Sequence, residues 1–321
     1  MKRKASAGTE ARRRVDRLRA LRNDPVALRE HARTILADEG SPDILKLALE
    51  SLGENIALSD RETLVSLYSY FQEAGPKRDP TGPLRVAILQ ALWHLRSRDD
   101  IELARRATNL VEPGLNGNGE MIRAAGLSLL AALDPDDASY AAVRMLGRGD
   151  AAEFNGEPSA TAVRVLSSLG DTRTVLLIAL RGGVRPDVQT EAIRSLASVP
   201  PEHLREIFER ADATDDEGTL VAMADLALQL PASPEVSDLV ARLLDSAPRG
   251  ELFEFLASSI VASRRQELIA VLLAALPTEM SQKRLRAACD ALQFAPKTAE
   301  VEVAVAELER RLAKQAPPAK A

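Results

Sequence analysis

Apolar residues recur along this chain at intervals of three and four, and one short frame of them keeps returning. LRVAILQALWHL at 84–95 and IRAAGLSLLAAL at 122–133 both open on an aliphatic residue and arginine, carry alanine two positions further on, and close on leucine. PSATAVRVLSSL at 158–169 and VQTEAIRSLASV at 188–199 keep the frame with changes near its opening, including Thr190, and LRAACDALQF from Leu285 is a looser copy. The spacing is that of one helical face. Starts near 44, 84, 122, 158, 188, 220, 252 and 285 lie roughly 30–40 residues apart, the range of helix-pair repeats. A second amphipathic segment follows each frame, as in SYAAVRML at 139–146, RTVLLIAL at 173–180, LREIFERA at 204–211 and ELIAVLLAAL at 267–276. Ser41-Pro42-Asp43, Asp134-Pro135-Asp136, Pro200-Pro201-Glu202 and Ser233-Pro234-Glu235 supply turn or cap residues, a proline near the first helical position and an acid near the positive helix end. No period-2 alternation is long enough to specify a strand.

On these repeats the chain resembles the HEAT-repeat family across about residues 25–312. The resemblance implies an all-α fold, a right-handed α-solenoid of about eight HEAT-like helix pairs. It also implies a ladder of turn acids and second-helix basic residues, for which Asp99 with Arg105 or Arg106, Asp134 with Arg144, and Asp171 with Arg173 are the counterparts. Units from 188 onward lose that pattern. A concave surface lined by second helices would be the place for a peptide or helix to dock. The expected organisation is a basic arm and capping helix at 1–24, a repeat array at 25–315 and a frayed tail at 316–321. Three longer loops, 74–83, 111–120 and 147–157, all precede a first helix and should share one edge, a common site for binding rims. The Asn-Gly-Glu echo at 118–120 and 155–157 reads as helix capping: asparagine caps, glycine permits the tight entry, and the acid meets the dipole.

Composition narrows the chemistry. The chain is 45% hydrophobic but only 3% aromatic, so its core must be Leu, Ala, Val and Ile. Cys289 is the only cysteine, which excludes an intramolecular disulfide and cysteine-based metal clusters and fits a reducing, cytoplasmic setting. The basic start lacks the apolar stretch of a signal peptide, and LIAVLLAAL at 268–276 is far short of the roughly 20 residues of a membrane span. Residues 1–33 hold eleven Lys/Arg against four Asp/Glu, a net of +7, which leaves −12 for the remainder of a chain at −5.

No catalytic centre is legible. His31, His94 and His203 fall in distant units, so no metal is expected, and His94 should pack beside Trp93. Cys289, flanked by alanines, reads as a buried structural thiol. Phosphate-loop, dinucleotide and nucleophile-elbow motifs are missing, so neither an enzyme nor a cofactor is expected. Tyr68 and Phe71 share a stripe with Leu64 and Leu67 and belong to a core. The expectation is a non-catalytic interaction or scaffold module with a protein or peptide partner. The acidic body biases that partner toward basic or neutral surfaces. The alternative is a nucleic-acid-binding HEAT-like protein using the basic arm, and after it a HEAT-type enzyme such as a DNA glycosylase-like protein. Candidate binding residues are Arg12, Arg13, Arg14 and Arg17 on the arm, Lys77 and Arg78 in the first long loop, and Arg105 and Arg106 in a second helix. Arg264-Arg265, Lys283-Arg284 and Arg310-Arg311 are similar basic doublets, read as ordinary solvent faces.

Overall fold

A computed structural model describes residues 12–38, 41–112, 119–148, 156–181, 185–246, 250–279 and 281–315. Among these residues the protein is all-α, and no helix is long and apolar enough to cross a membrane. The chain divides into two compact units, Met1–Gly170 and Asp171–Ala321.

The first unit contains α1 (12–20), α2 (Pro25–Asp38), α3 (Pro42–Leu52), α4 (Arg61–Glu73), the single turn α5 (Gly75–Arg78), α6 (Pro83–Leu95), α7 (Ile101–Thr108), α8 (Glu120–Leu133), α9 (Pro135–Arg148) and α10 (Ser159–Ser168). Its first helices pack in series, α3 on α6, α6 on α8 and α8 on α10. The second helices flank them, α4 against α6, α7 against α8, and α9 against α8 and α10. The repeated frame explains this order. Leu84, Ile88, Leu89 and Leu92 of α6 and Ile122, Leu127, Leu129 and Leu130 of α8 are fully buried. Buried positions on both sides of each first helix let it touch neighbours before and after it, so no pair buries its stripe alone. Tyr68 and Phe71 lie in this core beside Leu64, while Leu67 is half-buried.

The second unit contains α11 (Thr172–Leu180), α12 (Pro186–Arg194), α13 (Arg205–Phe208), α14 (Glu217–Gln229), α15 (Pro234–Ser246), α16 (Gly250–Ser263), α17 (Gln266–Ala275), α18 (Gln282–Leu292) and α19 (Ala299–Gln315). Here α12 packs on α14, α14 on α16 and α16 on α18, with α11 against α12, α15 against α14, α17 against α16 and α19 against α18. One expected helix is short. The segment at 204–211 forms only the turn α13 between 3-10 stretches at Pro201–His203 and Glu209–Ala213. Pro200 and Pro201 withhold two backbone donors at its start, yet Leu204, Ile207 and Phe208 still reach the core.

Successive units are linked by arginines in two different ways. In the first unit the turn acids Asp60, Asp100 and Asp134 each hold an arginine of the preceding pair, and Asp60 and Asp134 also accept a backbone N–H of their own turn. Asp60 accepts from the backbone N–H of Ala57 (2.8 Å) and from Arg33 of α2. Asp100 accepts from Arg61 at 2.7 and 3.0 Å. Asp134 accepts from the N–H of Asp137 (3.2 Å) and from Arg105 (3.3 Å), whose Nε donates to Asp137 at 2.6 Å. This corrects the expected partners. Arg105 serves the next turn, Arg144 donates to Asn109 (3.0 Å), and Asp171 caps α11 through Thr174. Arg144, ten positions along the same helix, lies about 15 Å from Asp134 and out of reach, whereas Arg105 on the neighbouring helix lies alongside it.

In the second unit the acid is replaced by helix-end carbonyls. Arg210 donates to the carbonyls of Leu180 (2.7 Å) and Ala179 (3.5 Å). Arg265 donates to those of Leu230 (2.8 Å), Ala227 and Leu228 (both 3.3 Å), and Arg311 to those of Leu276 (2.8 Å) and Glu279. A guanidinium placed there satisfies orphan carbonyls and meets the negative helix end. The doublets expected to be solvent faces thus turn one member inward. In the third, Arg284 binds Glu279 at 3.0 Å and lies over Phe253.

Candidate functional site

The serial packing of α6, α8 and α10 leaves their outward faces side by side, and these form a groove of about 940 Å³. Its floor is α8, which presents Ala124, Ala125, Ser128, Ala131 and Ala132, with Met121 exposed at one end. Small side chains on the middle helix make a trough, and bulkier residues on the flanking helices make its walls. On α6 these are Val86, Gln90, Trp93 and His94. Beside α10 they are Glu157, Thr161, Arg164, Val165 and Ser168.

Trp93 is 36% exposed, large for the only tryptophan of the chain. Its ring meets His94 edge-on, with centroids 5.2 Å apart, so the expected pairing of the two is present but on the surface. Above Trp93 lies the guanidinium of Arg96, 5.2 Å from the ring centroid. Arg96 caps α6 in the left-handed region (φ 49°), its N–H donating to the carbonyl of Leu92. That conformation costs a non-glycine residue roughly 1 kcal/mol, and glycine takes it after α10, at Gly170 (φ 82°). No carboxylate among the described residues pairs with Arg96. On the opposite wall Arg164 donates to Glu157 (2.5 Å) and to the hydroxyl of Thr161 (2.8 Å), and Glu157 also accepts the N–H of Thr161 (3.1 Å). Among the described residues the lining therefore carries two guanidinium groups against one carboxylate, inside a chain whose net charge is −5.

Behind this groove the loops are tied down by Arg85, the arginine of the repeated frame. It is fully buried and donates to Asp79 (3.2 Å), to both carboxylate oxygens of Glu112 (2.7 and 3.1 Å) and to Gln72 (3.3 Å). Burial opposes its charge, but the bonds it donates to Glu112 and Asp79 outweigh that and the guanidinium pKa is raised. Asp79 also accepts the N–H groups of Leu84 and Arg85, so one carboxylate starts α6 and anchors the arginine. Gly75 fits closely under this cluster, since a Cβ there would sit 2.5 Å from Arg85 Nη1 and overlap Glu112, so that both side chains would have to shift. Two of the three long loops, 74–83 and 111–120, are thereby joined. The third lies largely outside the described residues, as do Asn118 and Asn155. Gly119 (φ 81°) and Gly156 (φ 73°) make the expected tight entries.

The candidate binding residues named from the sequence do not line the groove. Arg12, Arg13 and Arg17 are exposed on α1 and Arg14 is half-buried. Lys77 is exposed, while Arg78 folds back on the carbonyl of Tyr70 (2.5 Å), Glu73 (3.1 Å) and the Tyr70 ring. Arg105 belongs to the inter-repeat ladder and Arg106 is exposed. His203 is exposed, and His31 is half-buried with Nε2 3.4 Å from the carbonyl of Arg14. Cys289 is buried, and burial together with Glu309 and Asp290 pushes its thiol pKa up. Among the described residues no group of three or more His, Cys, Asp and Glu is placed to hold a metal ion. Trp93, Arg96 and Arg164 were missed as a group. The signal lay in the small residues at the outward positions of α8. The second unit has its own groove of about 910 Å³ between α17 and α19, lined by Leu273, Leu276, Val303 and Leu308. No family model matches the chain, nor does any curated protein or solved structure.

Proposed function

We propose that the helix pairs form a HEAT-like right-handed α-solenoid and that the protein is a non-catalytic interaction module, docking a partner protein in the groove over α6, α8 and α10. The repeated frame and the arginine links between pairs support the architecture. The observation that carries the function is the groove itself: three successive first helices present a small-residue floor between bulkier walls, and an exposed tryptophan stands on the rim. Tryptophan and arginine are among the residue types that contribute most to protein docking, and both line this concave patch. The lining favours binding over chemistry, since its histidine stands against an aromatic ring rather than a nucleophile or carboxylate.

Site-specific photo-cross-linking tests this reading. A benzophenone side chain at Ser128, on the groove floor, should give a discrete cross-linked product in host extract. The same group at Val143, 44% exposed on the second helix α9, should not. Equal labelling at the two positions, or product at Val143 alone, would refute docking in the groove.

A further inference from the structure

The groove's lining narrows the partner. We infer that its occupant is an amphipathic helix with a small or aliphatic face and acidic flanks; this rests on the docking reading above. Two observations carry it. The first is the floor. Backbone N–H and C=O groups of α8 are spent within the helix, and the floor side chains are alanines and one serine. An extended peptide laid there would find few partners for its own backbone, and each buried orphan costs about 1–3 kcal/mol. A helix satisfies those groups internally and needs only an apolar face to fill a trough. From Met121 to Ala132 the floor runs about 16 Å, three turns of a partner helix.

The second observation is charge. Arg96 on one wall has no carboxylate partner among the described residues, and Arg164 on the other donates to Glu157 and to the Thr161 hydroxyl. The two guanidinium groups stand on opposite sides of an apolar floor. A helix with carboxylates on both flanks would reach both, and one with basic flanks would meet two like charges. Two guanidinium groups among the described lining residues are too few to track a phosphate backbone, which binding proteins neutralise at many points. The strained cap at Arg96 fits this role, since its guanidinium stands over the face of Trp93, beside the trough.

Trp93 is the only tryptophan, so its emission reports on the groove in the intact protein. The probes are two synthetic helical peptides of about 14 residues, four turns, free of aromatic residues. Both carry the same Ala/Leu face, one with glutamate flanks and one with lysine flanks. The glutamate peptide should shift Trp93 emission with a Kd at least tenfold below that of the lysine peptide, and tighter at low salt. Arg96→Glu should weaken the glutamate peptide tenfold or more, and Arg96→Glu with Arg164→Glu should reverse the preference. If both peptides bind alike and Arg96→Glu changes neither, the acidic partner is overturned while docking in the groove stands. Silence from both peptides beside a positive cross-link at Ser128 also overturns the helical acidic partner. A response to single-stranded oligodeoxythymidylate but to neither peptide overturns it in favour of nucleic acid.

Discussion

Replacing Arg85 with alanine should unfold the first unit more readily than any exposed arginine substitution. The side chain is fully buried, and its loss strands Asp79, itself 1% exposed, and removes both bonds to Glu112. Breaking a buried ion pair from one side costs about 3–5 kcal/mol. Two details place Arg85→Ala near the lower end. Asp79 keeps its two backbone donors at the start of α6, and Glu112 is exposed enough to recover water. For a unit of this size about 3 kcal/mol lowers Tm by roughly 6–12 °C. Urea unfolding followed through Trp93 isolates the first unit, and the midpoint should fall without a change in slope. Gly75→Ala should destabilise by about 1–3 kcal/mol through overpacking. The double variant should lose less than the sum, because the guanidinium that the new methyl meets is then absent. Additive losses, or an Arg85→Ala loss below about 1 kcal/mol, would refute the claim that this arginine clamps the two loops.

Other outcomes follow from the same geometry. Gly126→Ala should cost about 1–3 kcal/mol, read by the same unfolding assay, because a Cβ there would lie 2.7 Å from the Thr108 N and the Ala107 side chain of α7. Arg265→Ala should cost about 2 kcal/mol and speed amide exchange around Leu226–Leu230, while leaving exchange in α8 unchanged. Burial pushes the Tyr68 phenol up to about 12, against attraction from Arg85. The neutral form is therefore the one the fold holds. Its contribution is complete below pH 10 and lost as pH rises through about 12, worth on the order of 2–3 kcal/mol. Ultraviolet titration at 295 nm should show a late-ionising tyrosine that Tyr68→Phe removes.

The helices were written plainly in the sequence. First helices begin at Pro42, Pro83, Glu120, Ser159, Pro186, Glu217, Gly250 and Gln282, close to the expected starts, because the period of three and four and the turn residues both mark them. The links between pairs were harder to read. Arg265 and Arg311 look like ordinary surface arginines beside a neighbour that is one, and their ligands are backbone carbonyls, which have no sequence signature. Arg85 was visible as a repeated residue, but nothing local announces that Asp79 and Glu112 will bury it. The groove was least legible. Ala125, Ser128 and Ala132 read as unremarkable helix formers until Trp93 and Arg164 stand on either side of them.

The central claim is that the groove over α6, α8 and α10 holds a protein partner, and filling it is the most direct test. Ser128→Trp places a bulky ring on the floor at a half-buried, outward position, so circular dichroism and Tm should stay near those of the unaltered protein. Quantitative mass spectrometry of partners retained from host extract should then show at least one protein reduced tenfold or more. A retained set unchanged by Ser128→Trp, in a folded variant, would contradict the account.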